Sequence, residues 1–168
     1  MAEIVDPNLI FLAVVKEFGI DMKWSGQPFE KFKQLPNTNK GDAGERFIKL
    51  YGEDLGLTVE KPASRLGDID LKINGKDFEV KLATEDVSGS FQFNHIRLDY
   101  KYDFLLCVGV APDAILFDMW TKAHVATAKA GNLVSMGRGQ NSSFKLTKKR
   151  EDLRNINEFK KIVLARIA

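Results

Sequence analysis

This sequence is poor in residues that carry redox, disulfide or nucleophilic chemistry. Of its 168 residues one is cysteine, Cys107, and two are histidines, His95 and His124. A single cysteine excludes a disulfide framework and a cysteine-based zinc centre within the chain. Its setting in "DFLLCVGV" is that of a small buried hydrophobe. No apolar run approaches the roughly 18 residues of a membrane span, so no membrane partner is expected. The opening stretch has early acids and no small-residue cleavage site behind a basic head, which argues against a secretion signal. No Walker loop is present, so no ATP-driven step is expected. Internal repeats and low-complexity tracts are missing. Charge of one sign is missing too: 25 basic residues stand against 23 acidic ones, a net charge of +2 that does not announce a nucleic-acid partner. What remains is a globular composition for which the reducing cytoplasm is the expected compartment.

The length fits one domain spanning 1–168. Within it we distinguish an N-terminal helical part (1–40), a core (41–120) and a C-terminal part (121–168). Acids gather in 42–86, whereas "KLTKKR" and "FKKIVLAR" make the C-terminal end basic. "DPNLIFLAVVKEFG" reads as a helix with Asp6 as N-cap and Pro7 in the first turn. "SGQPFEKFKQLPNTNKG" reads as a connector. "DAGERFIKLYGEDLG" is a second helix, closed near Gly56, with Ala43, Phe47, Leu50 and Tyr51 as its apolar stripe. "LTVEK" is a short strand. "YDFLLCVGV" is a strand buried on both faces, and "AILFDMW" should pair with it. "TKAHVATAKAG" looks helical, "NLVSMGRGQNSS" is a polar loop, "FKL" is a short edge strand, and a helical tail follows. The order predicts an α/β protein, a mixed sheet with helices on its faces.

The informative stretch is "GDIDLKINGKDFEVK", residues 67 to 81. Asn74-Gly75 is a strong two-residue hairpin signal. It pairs Ile73 with Lys76, Lys72 with Asp77, Leu71 with Phe78 and Asp70 with Glu79, then Ile69 with Val80 and Asp68 with Lys81. Alternation puts Ile69, Leu71, Ile73, Phe78 and Val80 on an apolar face, and Asp68, Asp70, Glu79 and Lys81 on the other. Like charges directly opposed destabilise a ladder. A hard cation removes the conflict between Asp70 and Glu79, and oxygen donors of this kind are those magnesium takes. Lys81, on the same side, can hold a phosphate oxygen or assist an attacking water. A solvated face with an Asp68–Lys81 pair accounts for the hairpin equally well.

An aspartate followed on a hairpin by Glu-x-Lys is the mark of the PD-(D/E)XK nuclease superfamily, which "GDIDL…FEVK" resembles. Over about 43–120 the chain is similar in layout to small type II restriction endonucleases. The resemblance implies a restriction-endonuclease-like mixed β-sheet core flanked by helices, and a phosphodiesterase acting on double-stranded DNA. It implies Mg²⁺ held by Asp70, Glu79 and the Val80 carbonyl, with Asp68 the alternative to Asp70. It implies that Lys81 orients or deprotonates the water. It also implies a glutamate on the preceding helix, Glu45 first and Glu53 second.

Further candidates lie downstream. In "FQFNHIR", Gln92 and Asn94 have the chemistry to read adenine, and Arg97 to read guanine or clamp phosphate; His95 completes the cluster. Asn94 is alternatively the cap of a helix "HIRLDY". "GRGQNSS" offers Arg138, Gln140 and Asn141, and Lys145 follows; all suit phosphate contact and all suit a plain surface. The expectation is a Mg²⁺-dependent DNA endonuclease of type II restriction character. A palindromic site cut on both strands makes it a homodimer, with the apolar helix "NLIFLAVVKEFGI" available to the interface. The rivals are a structure-specific or repair nuclease, such as a junction resolvase or mismatch nickase, and a non-catalytic DNA-binding protein.

Overall fold

The computed structural model describes residues 6–18, 21–63, 69–137 and 142–168. Five α-helices are described: α1 Pro7–Glu17, α2 Glu30–Lys33, α3 Asn37–Asp54, α4 Lys122–Ala126 and α5 Phe159–Ile167. The strands are β1 Val59–Glu60, β2 Leu71–Ile73, β3 Lys76–Thr84, β4 Ser90–Ile96, β5 Phe104–Val110, β6 Ile115–Thr121, β7 Leu133–Ser135, β8 Phe144–Lys149 and β9 Arg154–Asn155. A six-stranded sheet runs β1-β2-β3-β5-β6-β9, and a three-stranded sheet runs β4-β8-β7. Only β3 and β5 pair in parallel; every other pair is antiparallel. This is the expected α/β architecture, a mixed sheet flanked by helices.

Much of the local structure follows from local chemistry. Asp6 caps α1, its carboxylate accepting the Asn8 N–H at 2.9 Å. Asn74 and Gly75 both have positive φ, as their tight turn requires. The turn sets the expected register, Ile73 against Lys76, Lys72 against Asp77 and Leu71 against Phe78. The opposed Lys72 and Asp77 form an ion pair at 2.9 Å. All seven residues of β5 are buried. Phe104, Leu106 and Val108 pack with Ile48, Phe117 and Phe159 toward α3 and α5. Leu105 and Cys107 pack with Phe91, Phe93 and Leu146 toward the smaller sheet. A strand buried on both faces is what a continuous apolar run means.

Four expectations are corrected. The second helix begins at Asn37, not Asp42, and runs through Gly41; Pro36 before it cannot continue a helix backward but readily precedes one. Its inward residues are Gly44, Ile48 and Gly52, while Leu50 is exposed. Gly44 sits there because a Cβ would lie 3.0 Å from Leu82, so helix and strand approach closely. "TKAHVATAKAG" is helical only over α4. "FKL" belongs to β8, the central strand of its sheet, because Leu133–Ser135 in the expected loop supplies a further strand.

Candidate functional site

Asp70 is where the hairpin stops being a ladder. Continued by one pair, the ladder would send the Val80 N–H to the Ile69 carbonyl. Instead the Asp70 carboxylate accepts that N–H at 2.8 Å, and the Asp70 N–H goes to the Phe78 carbonyl at 3.0 Å. The expected pairing of Ile69 with Val80 is therefore replaced by a side chain, and strand pairing of β2 ends at Leu71. Among the described residues no strand covers β3 on this side from Glu79 to Thr84. A groove of about 590 Å³ opens there, lined among others by Glu45, Asp70, Val80, Lys81, Gln92 and His95.

Glu79 and Lys81 lie on the same face of β3, opposite Leu105 and Cys107 of β5. Glu79 is only 3% exposed, and its carboxylate meets the Lys81 ammonium at 2.6 Å. Burial pushes the Glu79 carboxyl above its ordinary value. Lys81 opposes that push, while Asp70 and Glu45 add to it. Glu45 reaches the same place from α3, which packs against β3. Its carboxyl is also raised, first by burial and then by Asp70, against an ion pair with Lys61 at 3.4 Å. Glu53, the second choice, points elsewhere and pairs with Lys49.

The downstream cluster divides. Asn94 and His95 fall in β4, so no helix is capped there. A bulge between Phe93 and Ile96 absorbs one residue, with His95 at φ +58°. The bulge restores Ile96 to the core beside Phe91 and Phe93 and turns Asn94 and His95 outward into the groove. Gln92 lines the groove as well. Arg97 does not: its guanidinium is gripped by Asp99 at 2.8 and 2.6 Å and lies over the Tyr100 ring. Lys145 is half-buried on β8, two residues from Thr147 and on the same face, outside the groove lining. Asp68, Arg138, Gln140 and Asn141 lie outside the described residues.

Sequence reading missed Asn37, Lys40, Gly41 and Thr84, which also line the groove. The spacing of Asn37, Gly41 and Glu45 is a helical stripe, but Gly41 closes a stretch whose Pro, Gly and Asn content reads as a connector. The Lys40 ammonium is pushed below its ordinary value by partial burial and by Lys33.

Glu45 and Asp70 line the groove with Lys40 and Lys81, and Glu79 lies buried beside it against Lys81; the three carboxylates are oxygen donors of the kind hard cations prefer. As they stand, Glu79 is turned onto Lys81 and Asp70 onto the Val80 N–H. Among the described residues no three His, Cys, Asp or Glu side chains are gathered around a common point. The donor chemistry fits a magnesium-like ion once Glu79 exchanges its lysine partner for it.

No protein-family model matches the chain, and no curated protein matches it by sequence. No described helix is long and apolar enough to cross a membrane. Among solved structures the chain is similar in fold to a bacterial homing endonuclease, I-Ssp6803I, at 15% identity and a TM-score of 0.52, over 79% of this chain and 95% of that one.

Proposed function

We propose that this protein is a Mg²⁺-dependent DNA endonuclease of the PD-(D/E)XK superfamily, a type II restriction enzyme that hydrolyses phosphodiester bonds of double-stranded DNA as a homodimer. The observation that carries this reading is the convergence of Glu45, Asp70 and Lys81, with Glu79 buried against Lys81, on a groove that also presents Gln92, Asn94 and His95. A solvated hairpin face does not account for a glutamate 3% exposed.

Asp70, Glu79 and the Val80 carbonyl would hold Mg²⁺, which when bound supplies a water acidic enough to be deprotonated near neutral pH. Glu45 adds a further carboxylate to the same field. Lys81, released from Glu79, would orient the attacking water through its ammonium, which donates hydrogen bonds and keeps its charge. Lys40 and Lys81 are the groove cations that balance the charge growing on the phosphate. No histidine or cysteine base is needed, in keeping with the shortage of both. α1 supports the homodimer: all its described side chains are exposed, with Leu9, Phe11 and Leu12 each more than half so.

The test is to incubate the purified protein with long unmodified phage DNA in Mg²⁺ and in EDTA and to sequence the ends. Discrete Mg²⁺-dependent fragments sharing one short site support the proposal. The fold likeness favours a second reading, a homing endonuclease, for which the shared site would be long and cuts rare. Absence of cutting on every DNA tried, junctions and mismatches included, would overturn both.

A further inference from the structure

Gln92 stands in the groove with its amide held at both ends. Asp86 lies in the turn between β3 and β4. Its Oδ1 accepts from the Ser88 N–H at 3.0 Å, the Ser88 hydroxyl at 2.6 Å and the Ser90 N–H at 2.9 Å. Three donors on one oxygen leave Oδ2 aimed at Gln92, whose Nε2 donates to it at 3.3 Å. On the other side the Thr147 hydroxyl of β8 donates to Gln92 Oε1 at 2.6 Å. Burial disfavours the charge on Asp86, but the bonds from Ser88, Ser90 and Gln92 outweigh it and hold the carboxyl down at about 2. Asp86 is therefore an acceptor at any working pH. An acceptor can face only the NH₂ end of the amide, so the direction of the Gln92 side chain is determined.

A primary amide has two N–H donors and two acceptor lone pairs. Asp86 occupies one donor and Thr147 one lone pair. One donor and one acceptor remain on a side chain that lines the groove. That pair matches adenine in the major groove, whose N7 accepts and whose N6 donates.

We propose that Gln92 reads an adenine, through an amide whose orientation is fixed by Asp86 and Thr147 as positioning residues. This rests on the groove being a DNA site, and it adds which base is read and what holds the reader. Freed of the clamp, the amide can rotate by half a turn and present donor and acceptor in the reverse order, so discrimination at that one base pair falls while binding elsewhere persists.

The experiment is a binding selection from duplexes of random sequence in Ca²⁺, with the recovered DNA sequenced. The wild-type chain is compared with T147V, D86N, Q92A and the double variant T147V/Q92A. T147V is the cleaner probe, since Thr147 is exposed and valine keeps its shape. We expect one A·T-demanding position per half-site that Q92A loses. T147V and D86N each lower the preference there about tenfold, with other positions unchanged. The double variant should match Q92A alone. A Thr147 effect that persists without Gln92 would overturn the positioning role. A Gln92-dependent position that is not A·T, or none at all, would overturn the adenine assignment. Selected duplexes that Mg²⁺ leaves uncut would sink the nuclease reading instead and leave the base reading standing.

Discussion

Glu79 and Lys81, two residues apart on β3, hold each other at 2.6 Å in a site that leaves Glu79 3% exposed. The pairing offsets part of the cost of burying the carboxylate, yet burial still wins and the carboxyl sits above its ordinary value. Under the proposed function the pair would be a resting arrangement, each partner held back from its proposed role by the other.

Replacing Lys81 with Ala should lower single-turnover cleavage by about two orders of magnitude or more while leaving DNA affinity, measured by gel shift, within a few-fold of wild type. A variant that cuts at the wild-type rate would remove Lys81 from the chemistry.

The raised carboxyls of Glu79 and Glu45 set a pH dependence. A carboxyl whose folded value is raised favours the folded state below its unfolded value, about 4.3, and that contribution is lost as pH rises through the folded value. In metal-free protein the two groups therefore weigh against folding at neutral pH. Glu45→Gln should raise the melting temperature in EDTA at pH 7 and have no such effect at pH 4. Mg²⁺ should raise the wild-type melting temperature at pH 7 and lose that effect on acidification. An equal Mg²⁺ effect at both pH values would place the ion elsewhere.

Glu85 behaves in the opposite sense. Its buried carboxylate is held by Arg150 and by Lys23 at 3.0 Å, and Arg150 also meets Asp113 at 3.0 Å. Burial opposes its ionisation, but Arg150 and Lys23 prevail and depress the carboxyl. Its stabilisation is present above the unfolded value and is lost as pH falls through the folded one, below roughly pH 4. Glu85→Gln should cost about 1–3 kcal/mol at pH 7, read by urea denaturation, and less at pH 3. A loss that stays constant over that range would mean that packing, not charge, is the cause.

α1 exposes Leu9, Phe11 and Leu12 with no described element over them. If a second copy covers this helix, Phe11→Asp should shift the sedimentation coefficient from dimer to monomer at micromolar concentration and abolish paired cuts. A monomeric wild-type protein would reject the homodimer.

What could be read locally was read in the sequence alone. Asn74-Gly75 forces a two-residue turn, and a turn of that type dictates which residues face each other for the next three pairs. Asp6 before Pro7 starts a helix, and the apolar run of β5 announces a strand with two covered faces. The shared face of Glu79 and Lys81 on β3 also follows from alternation, because a strand's period is short and rigid. Tertiary structure decided what alternation cannot reach. The Asp70 carboxylate ends the ladder by taking the Val80 N–H, a choice between two acceptors that the pattern does not rank. Glu45 joins the site because Gly44 lets α3 press against Leu82, and Gln92 and His95 join it because β8 fastens β4 and leaves room for its bulge. These are contacts between residues far apart in sequence. Their cost is chain entropy and their return is burial shared among many partners, so no single segment carries the signal.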